Sequence, residues 1–511
     1  MKKMIVKALS LLLVVAVFFG LLPVFSYAAN AAETYTYVLV RSPKNLTSGE
    51  YLLIAAATGA NKGNYNYYAM TTKEDSKYLM IQGIGQGFTT LPTTLNLPDS
   101  LYSQFAWTVQ GDINGLTMKT PDGTYLTATS GSSAVSLTSA GTQWVATHNA
   151  EQKTFSFAAV NRYLALRSDV SVTGTNGMCG FTTYPDDTGD ILFYVYKRVN
   201  TEELKSVLMY HSLNLASDIS INYILPKDQF NGFEQIRMEI DRPIFDGNTL
   251  VTWETIFMEP VDNGEYFYFT VDDMTAVQMN NPLQAVIYAH KDGVDYITEA
   301  DYYSIGTYAY NQLDKTASST ALRKVCAELL RYGSKSQVFK NYRTDALVDA
   351  SMTEEHKAYL SPLEEVVFGS NKELLNDLTN ASITWAGMGL DLQTKIVVRM
   401  ILDLSDYTGS PEDLTMRVKV TDVTGKETTY TLTEVEAYKP EDNLYAFDFS
   451  QLNAAELRSV LSAAAFIGET QVSATRVYSV DTYGKGKPGA LGETCRAMIA
   501  YGDAARAYFE Q

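Results

Sequence analysis

The stretch YSIGTY at residues 303–308 returns as YSVDTY at residues 478–483. Further matches follow downstream in the same order: ALRKVC at 321–326 with ALGETC at 490–495, and Tyr332-Gly333 with Tyr501-Gly502. Agreement in order and residue type over such a length predicts that the chain contains two copies of one unit. The copies have diverged enough to allow a function specific to one of them.

Each copy is predicted to begin with strands and to end with helices. Apolar and polar residues alternate over residues 236–240 and 414–420, which is typical of an antiparallel sheet with one solvated face. After Tyr303 and Tyr478 the apolar residues instead fall at helical spacing. We therefore expect two repeated β-sandwich-like domains, each capped by C-terminal helices.

The copies are predicted to span residues 201–345 and 387–511, with a partly helical linker at 346–386. Residues 370–373 fit a helix capping box, because a serine there precedes a glutamate by three positions. Residues 201–210 form another short helical candidate.

The N-terminal third, residues 34–198, lacks long helical periodicity and carries a recurring hairpin pattern. Asparagine or glycine, which tolerate the positive φ of tight turns, stands two residues before three tyrosines: Tyr68, Tyr125 and Tyr163. Trp107 and Trp144 open the second and third units. Three such units predict a β-trefoil-like domain in which the first strand pairs with the last, and we expect these tryptophans and tyrosines to form its core.

This pattern of tryptophan strand, turn and tyrosine resembles the β-trefoil modules of the ricin-lectin and fascin kind. The resemblance implies sugar binding. The lectin family's repeated Gln-x-Trp is not reproduced, and its sugar-gripping aspartate is not found in all three units, since Asp122 stands alone. Carbohydrate recognition is thus an implication of the fold analogy, without matched residues.

The doubled unit resembles a module of unknown function found in exported proteins of Gram-positive gut and rumen bacteria. That module ends in a helix with a Tyr-Gly signature followed by an aromatic pair. Tyr501-Gly502 and Tyr508-Phe509 carry the signature in the second copy, whereas the first copy departs from it at Val338-Phe339. The resemblance implies location and architecture only.

The first residues indicate export. Lys2, Lys3 and Lys7 precede an apolar run over residues 8–25, and small residues allow cleavage after Ala28 or Ala31. We expect a signal peptide at residues 1–28, with an uncleaved membrane anchor as the alternative. The chain carries 40 Lys+Arg against 58 Asp+Glu, a net charge of −18, which argues against nucleic acid and anionic membranes as partners. We expect an extracellular protein, either free or held non-covalently at the cell surface, with no membrane insertion after signal removal.

Catalytic chemistry finds little support in the sequence. Three cysteines, Cys179, Cys326 and Cys495, are too few and too scattered for a disulfide framework, and we expect core positions for them. The four histidines form no HExxH pattern, and GxSxG is missing as well. His356, beside two glutamates, is expected on a solvated helix face, and residues 186–190 are expected to form an acidic turn. We predict no catalytic residue, no metal site and no cofactor, and the sequence does not identify the ligand-binding residues.

Three functions fit these observations. The first is a non-catalytic binding or adhesion protein that recognises carbohydrate or another cell-surface polymer through residues 34–198, with a protein partner also open. The second is a purely structural surface protein. The third is an extracellular polysaccharide hydrolase, although the two modules leave no span long enough for a catalytic barrel.

Overall fold

The computed structural model describes residues 34–57, 65–75, 78–84, 90–166, 178–185, 191–214, 219–378, 381–391 and 396–510. The protein is mainly β, with several sheets and a seven-strand barrel. The protein divides into two compact units. One unit contains the described residues up to Ser206 together with Gly232–Ile236 and Tyr288–Glu299, and the other contains the remaining described residues. The predicted signal peptide at residues 1–28 lies outside the described residues.

The first unit, called the barrel unit below, is built on a 14-stranded sheet. Its elements are β1 Thr34–Leu39, β2 Gly49–Ala56, β3 Tyr67–Asp75, β4 Tyr78–Ile84, β5 Thr94–Pro98, α1 Asp99–Phe105, β6 Trp107–Asp112, β7 Gly115–Lys119, β8 Tyr125–Ala128, β9 Val135–Thr138, β10 Val145–Asn149, β11 Thr154–Ala159, β12 Arg162–Leu166, β13 Met178–Tyr184 and β14 Phe193–Val199.

Seven of these strands close a ring in the order β14-β11-β12-β13-β4-β3-β2, because β2 also pairs with β14. The predicted pairing of the first strand with the last is present, with Thr36 opposite Val199. However, β1 lies outside the ring together with β5, so the ring is closed by the second strand. Strands β6 to β9 extend from β2.

The barrel core contains both tryptophans named from the sequence. Trp107 and Trp144 are fully buried, and each indole N–H donates to a backbone carbonyl. Tyr68 is also buried.

At the hairpins of Tyr125 and Tyr163, the residue that faces the core is one position later than expected. Tyr125 and Tyr163 are only half-buried, whereas the leucines that follow them, Leu126 and Leu164, are fully buried. Because side chains alternate across a strand, the leucine takes the inward position there and the tyrosine lies toward the surface. Gly123, at the first of these turns, has the expected left-handed backbone with φ 91°.

The elements downstream of the barrel continue in chain order. They are β15 Tyr210–Asn214, β16 Ser220–Pro226, β17 Glu234–Asp246, β18 Thr249–Met258, β19 Val261–Asn263, β20 Tyr266–Val271, β21 Leu283–Lys291, β22 Val294–Ile297, β23 Asp301–Tyr303, α2 Ile305–Asp314, α3 Thr320–Lys340, α4 Glu354–Lys357, β24 Lys372–Leu374, β25 Thr384–Asp391, β26 Val397–Asp403, β27 Leu414–Thr421, β28 Glu427–Leu432, β29 Glu436–Lys439, β30 Leu444–Phe449, β31 Val460–Ile467, β32 Thr470–Gln471, β33 Arg476–Tyr478 and α5 Gly489–Phe509.

Four sheets are formed by these strands. Their orders are β15-β16-β20-β19, then β18-β17-β21-β22 with β23 beside β21, then β25-β26-β30-β29, and finally β24-β33-β31-β27-β28 with β32 beside β31. The alternation predicted for β27 is confirmed, since Leu414, Met416 and Val418 are fully buried and the residues between them are not.

The two long helices, α3 and α5, pack against each other. The rings of Tyr332 and Tyr501 stack with centres 6.1 Å apart and an interplanar angle of 10°. Lys335, late in α3, meets Glu493, early in α5, through an ion pair of 2.6 Å, so the helices run antiparallel. Two of the three cysteines predicted for the core, Cys326 and Cys495, are free and buried in these helices. The side chain of Cys179 lies outside the described residues.

Each long helix packs against a 3₁₀ turn that has a capping box. The turns are Ala276–Gln278 and Ala454–Glu456. A Cβ added at Gly333 of α3 would lie 3.3 Å from the Ala276 carbonyl oxygen, and one added at Gly502 of α5 would lie 2.6 Å from that of Ala454. Glycine after tyrosine therefore lets each helix cross its turn at close range.

We expect Gly502→Ala to destabilise the protein more than Gly333→Ala. The new methyl at position 502 meets the backbone carbonyl of Ala454, which cannot move cheaply, whereas the nearest atoms at position 333 belong to side chains, the Met279 sulfur at 2.7 Å and Val348 Cγ1 at 2.8 Å. Overpacking should cost about 2 kcal/mol at position 502, beyond the roughly 1 kcal/mol that alanine gains over glycine inside a helix. Denaturant midpoints at constant m-value measure the difference.

Gly387→Ala is the matched control, since a Cβ there meets nothing within 4 Å. It should shift stability by no more than about 0.5 kcal/mol. Equal midpoints for the position 387 and position 502 variants would contradict the role assigned to Gly502.

Three local expectations for the connecting segments were wrong. Residues 201–210 form turns and the start of β15, with no helix, and residues 370–373 lead into strand β24, because Lys372–Leu374 pairs with Arg476–Tyr478 at a sheet edge. Strand pairing here overrides a local capping pattern. His356 lies in the short helix α4, as expected of a partly helical linker, but it is buried, with Nε2 2.9 Å from Asp314 Oδ1.

Candidate functional site

The outer face of the barrel carries a second apolar cluster, separate from the core and rich in tyrosine. Strands β1, β3 and β14 supply Tyr37, Tyr67 and Tyr196, β2 adds Leu52 and Ile54, and the segment that contains β5 and α1 packs on them. Tyr35 and Tyr194 pack on the rim of this cluster and stay partly exposed. The barrel therefore presents aromatic side chains on its outside as well as in its core.

Charged groups join this aromatic surface at one place, which we call the Arg198 cluster: Tyr35, Glu50, Asp99, Tyr102 and Arg198. The pairing of β1, β14 and β2 places residues 35, 198 and 50 on neighbouring strands, and α1 adds residues 99 and 102. The Arg198 guanidinium carbon lies 3.8 Å from the centre of the Tyr35 ring and 5.8 Å from that of Tyr102.

Hydrogen bonds hold the cluster in place. Glu50 forms an ion pair with Arg198 and accepts a hydrogen bond from the Tyr102 hydroxyl. The Tyr35 hydroxyl donates to Asp99 Oδ1 at 2.9 Å. The two tyrosine rings meet edge to face, with centres 5.2 Å apart. Their geometry is thus set by the fold before any ligand arrives.

The electrostatics of the cluster follow from partial burial. Burial raises the pKa of Tyr102, and its hydrogen bond to the Glu50 carboxylate raises it further, so the phenol remains a proton donor. Burial alone would lower the pKa of Arg198, but the hydrogen bond and charge of Glu50 outweigh this and raise it. The guanidinium is therefore charged at neutral pH.

The Arg198 cluster keeps unused bonding capacity at the surface. The Arg198 side chain is 35% exposed and that of Glu50 28% exposed. A guanidinium has five N–H donors and a carboxylate about four acceptor sites, more than the contacts described above consume. Aromatic faces beside fixed donors and acceptors are the usual lining of a site that binds a small polar molecule with apolar C–H faces, such as a sugar ring.

The motif residues considered from the sequence do not assemble with this cluster. Asp122 is exposed at the Gly123 turn, where the nearby Lys119 ammonium lies 5.4 Å from the Tyr125 ring centre. The acidic residues Asp186, Asp187 and Asp190 lie outside the described residues.

The four histidines are held separately. His148 packs on Phe155, and burial lowers its pKa. The other three each contact one carboxylate: His211 with Asp301 at 2.9 Å, His290 with Asp295 at 2.7 Å, and His356 with Asp314 as given above. Within the described ranges no group of three or more metal-binding side chains comes together, and no helix is long and apolar enough to cross a membrane.

Sequence reasoning missed the Arg198 cluster because its members are far apart along the chain and belong to no local motif. Residues 35 and 198 meet only because the first and last strands pair. The sequence offered two signals, its 35 tyrosines and the predicted pairing of the first strand with the last. That pairing places the start of β1 beside the end of β14.

No family model matches the chain. A search of curated proteins likewise returned no match.

Proposed function

We propose that the protein is an exported, non-catalytic binding or adhesion protein that recognises carbohydrate or cell-wall polymer through its barrel unit. The Arg198 cluster carries this proposal. It combines two tyrosine rings at 5.2 Å with a partly exposed carboxylate and guanidinium, all fixed by hydrogen bonds within the barrel. Rigid aromatic and bidentate groups of this kind bind with little loss of side-chain freedom.

The charge of the chain narrows the ligand class. With a net charge of −18, the protein repels polyanions at long range, so neutral or amino-bearing polysaccharides fit better than phosphate-rich or uronate-rich ones. A pyranose offers hydroxyls to Glu50 and Arg198 and a C–H face to Tyr35 or Tyr102.

The finer architecture is part of this proposal. We take the barrel unit as a trefoil-like recognition domain, supported by its tryptophan-led second and third hairpins and by the pairing of β1 with β14. Residues 201–345 and 387–511 are taken as two copies of one β-sandwich-like module that act as spacers. The matching 3₁₀ turns beneath Gly333 and Gly502 support that duplication.

Binding of the whole chain to immobilised polysaccharides tests the proposal. We expect retention on at least one neutral or amino-bearing glycan, and we expect the double variant Tyr35→Ala/Tyr102→Ala to lose affinity by about tenfold or more, because it removes both rings. Affinity electrophoresis against a panel of soluble and cell-wall glycans measures both.

Tyr125→Ala is the matched control, because it removes a half-buried barrel tyrosine that also lies near a cation, away from the Arg198 cluster. It should bind like the unmodified chain. Failure of the unmodified chain to bind any glycan would favour the purely structural reading, and release of reducing sugars would favour a hydrolase.

A further inference from the structure

A lysine and an aspartate meet away from water where strand β14 lies beside the hairpin of β21 and β22. Lys197 Nζ lies 2.7 Å from Asp295 Oδ2, and the two side chains are only 6% and 4% exposed. Both residues belong to the barrel unit, which includes Tyr288–Glu299. Lys335 and Glu493 give the contrast, because they meet at 2.6 Å but are 32% and 53% exposed. The Lys197–Asp295 contact thus differs from that surface ion pair in its burial and not in its length.

The backbone and the neighbouring side chains hold this contact in place. Asn200, just after β14, forms a parallel bridge with β22, and its N–H donates to the Asp295 carbonyl oxygen at 2.8 Å. The lysine side chain is confined as well, because a Cβ added at Gly49 would lie 2.7 Å from Lys197 Cε. Its Nζ also donates to Thr47 Oγ1 at 2.7 Å. The fold therefore keeps the amine against the carboxyl group.

A third side chain, His290, reaches the same carboxyl group. Its Nδ1 lies 2.7 Å from Asp295 Oδ1, whereas Lys197 contacts Oδ2. The imidazole is 19% exposed, so it connects the buried carboxyl group with the solvent. Imidazole gives and takes protons readily near neutral pH. A nucleophilic amine, a carboxyl carbon and a proton carrier are thus brought together at one point.

We propose that Lys197 and Asp295 join in an intramolecular amide bond with the loss of one water molecule. Nζ forms a bond to Cγ of Asp295, and the bond between Cγ and Oδ1 breaks. The lysine ammonium carries three protons, of which one stays on the amide nitrogen and two leave with Oδ1 as water. Atoms and charge balance in this step, and no further reactant is needed.

Burial and proximity both favour this condensation. The reaction needs a free lone pair on the amine and a proton on the carboxyl group. Transfer of one proton across the 2.7 Å contact gives both neutral forms, and a dry site costs charged groups far more than neutral ones. An amine held about 3–3.5 Å from the carbon that it attacks reacts without a bimolecular encounter. His290 carries a proton from the nitrogen to the departing oxygen.

Mass spectrometry of the whole mature chain tests the bond. With the N-terminus determined from a digest of the same sample, the unmodified chain should be lighter than its sequence by one water molecule. Tandem spectra should show the peptides that contain Lys197 and Asp295 joined. Lys197→Arg keeps the positive charge but lacks the primary amine, so it should have the full mass of its sequence. Lys335→Arg, the same change in the exposed ion pair, should keep the deficit of one water molecule.

The role of His290 is tested by the rate of bond formation after a pulse of cell-free synthesis. His290→Ala should form the bond roughly a hundredfold more slowly than the unmodified chain, because it removes the proton carrier. His211→Ala is the matched control, since it removes a histidine that contacts a different aspartate, and it should react at the unmodified rate. Equal rates for His290→Ala and the unmodified chain would overturn the role given to His290.

The decisive measurement is made on the unmodified chain, so a folding defect in a variant does not affect it. A full sequence mass for that chain, with Lys197 and Asp295 recovered in separate peptides, would overturn the proposal. A deficit of one water molecule that persists in Lys197→Arg would overturn it as well, because the water would then come from another site.

Discussion

Glu328→Ala is expected to destabilise the protein by about 3–5 kcal/mol, because it leaves a buried arginine without its partner. Glu328 is fully buried in α3 and forms an ion pair with Arg331, which is 8% exposed. Its other carboxylate oxygen accepts a hydrogen bond from the Ser361 N–H at 2.7 Å, and the Arg331 guanidinium donates to the Ser361 carbonyl at 2.6 Å. The Glu328–Arg331 pair thus binds both the N–H and the carbonyl group of Ser361, which follows α4.

Denaturant unfolding followed by circular dichroism measures this loss. Glu328→Gln should fall between the alanine variant and the unmodified chain, because the amide oxygen can still accept from Ser361 while the charge is gone. Glu493→Ala is the control, since Glu493 is 53% exposed in its ion pair with Lys335 and should cost no more than about 1 kcal/mol. Equal losses for Glu328→Ala and Glu493→Ala would refute the argument.

On the proposed duplication, the second long helix has apolar residues at the places where α3 has this ion pair. Counting from the matched cysteines, Ala497 and Ala500 occupy the places of Glu328 and Arg331, and both alanines are buried. Replacing both charged residues with apolar ones should therefore recover part of the stability lost by Glu328→Ala.

Above about pH 10 the protein is expected to lose stability steeply, because many of its tyrosines are buried as neutral phenols. Burial raises the pKa of Tyr332 to about 12 and that of Tyr478 to about 12. Burial also raises the pKa of Tyr223 and Tyr501. A folded-state pKa above the unfolded value gives stability that is complete below pH 10 and is lost as the pH rises toward the folded value. Two pKa units correspond to about 3 kcal/mol for each such residue at pH 12.

Tyrosinate absorbance and circular dichroism, recorded together against pH, check this expectation. The buried tyrosines should ionise in one cooperative step that coincides with loss of structure. In concentrated guanidinium chloride all tyrosines should titrate near their ordinary pKa. Smooth titration of every tyrosine near pH 10 with the fold intact would show that the phenols are not buried.

Regular patterns along the chain predicted much of this structure. The alternation at Leu414, Met416 and Val418 and the burial of Trp107 were foreseen, because periodicity and residue size determine which face turns inward. Residues whose surroundings come from distant segments were not foreseen. Glu328 and Arg331 resemble a solvated pair three positions apart, but they are buried and hydrogen-bond the backbone of Ser361, which is 30 residues or more away along the chain. The same holds for His356, which is buried and contacts Tyr310 and Asp314 of α2, and for the Arg198 cluster.

The antiparallel packing of α3 on α5 has a mechanical consequence. The chain enters α3 at Thr320 and leaves α5 at Phe509, and in an antiparallel pair these two ends lie side by side. A pulling force applied to the chain on either side would thus peel the helices apart from one end, a few contacts at a time, instead of shearing all of them at once. Residues 341–488, which lie between the two helices, would bear no load until the helix pair separated. Their folded elements would bear the load from then on.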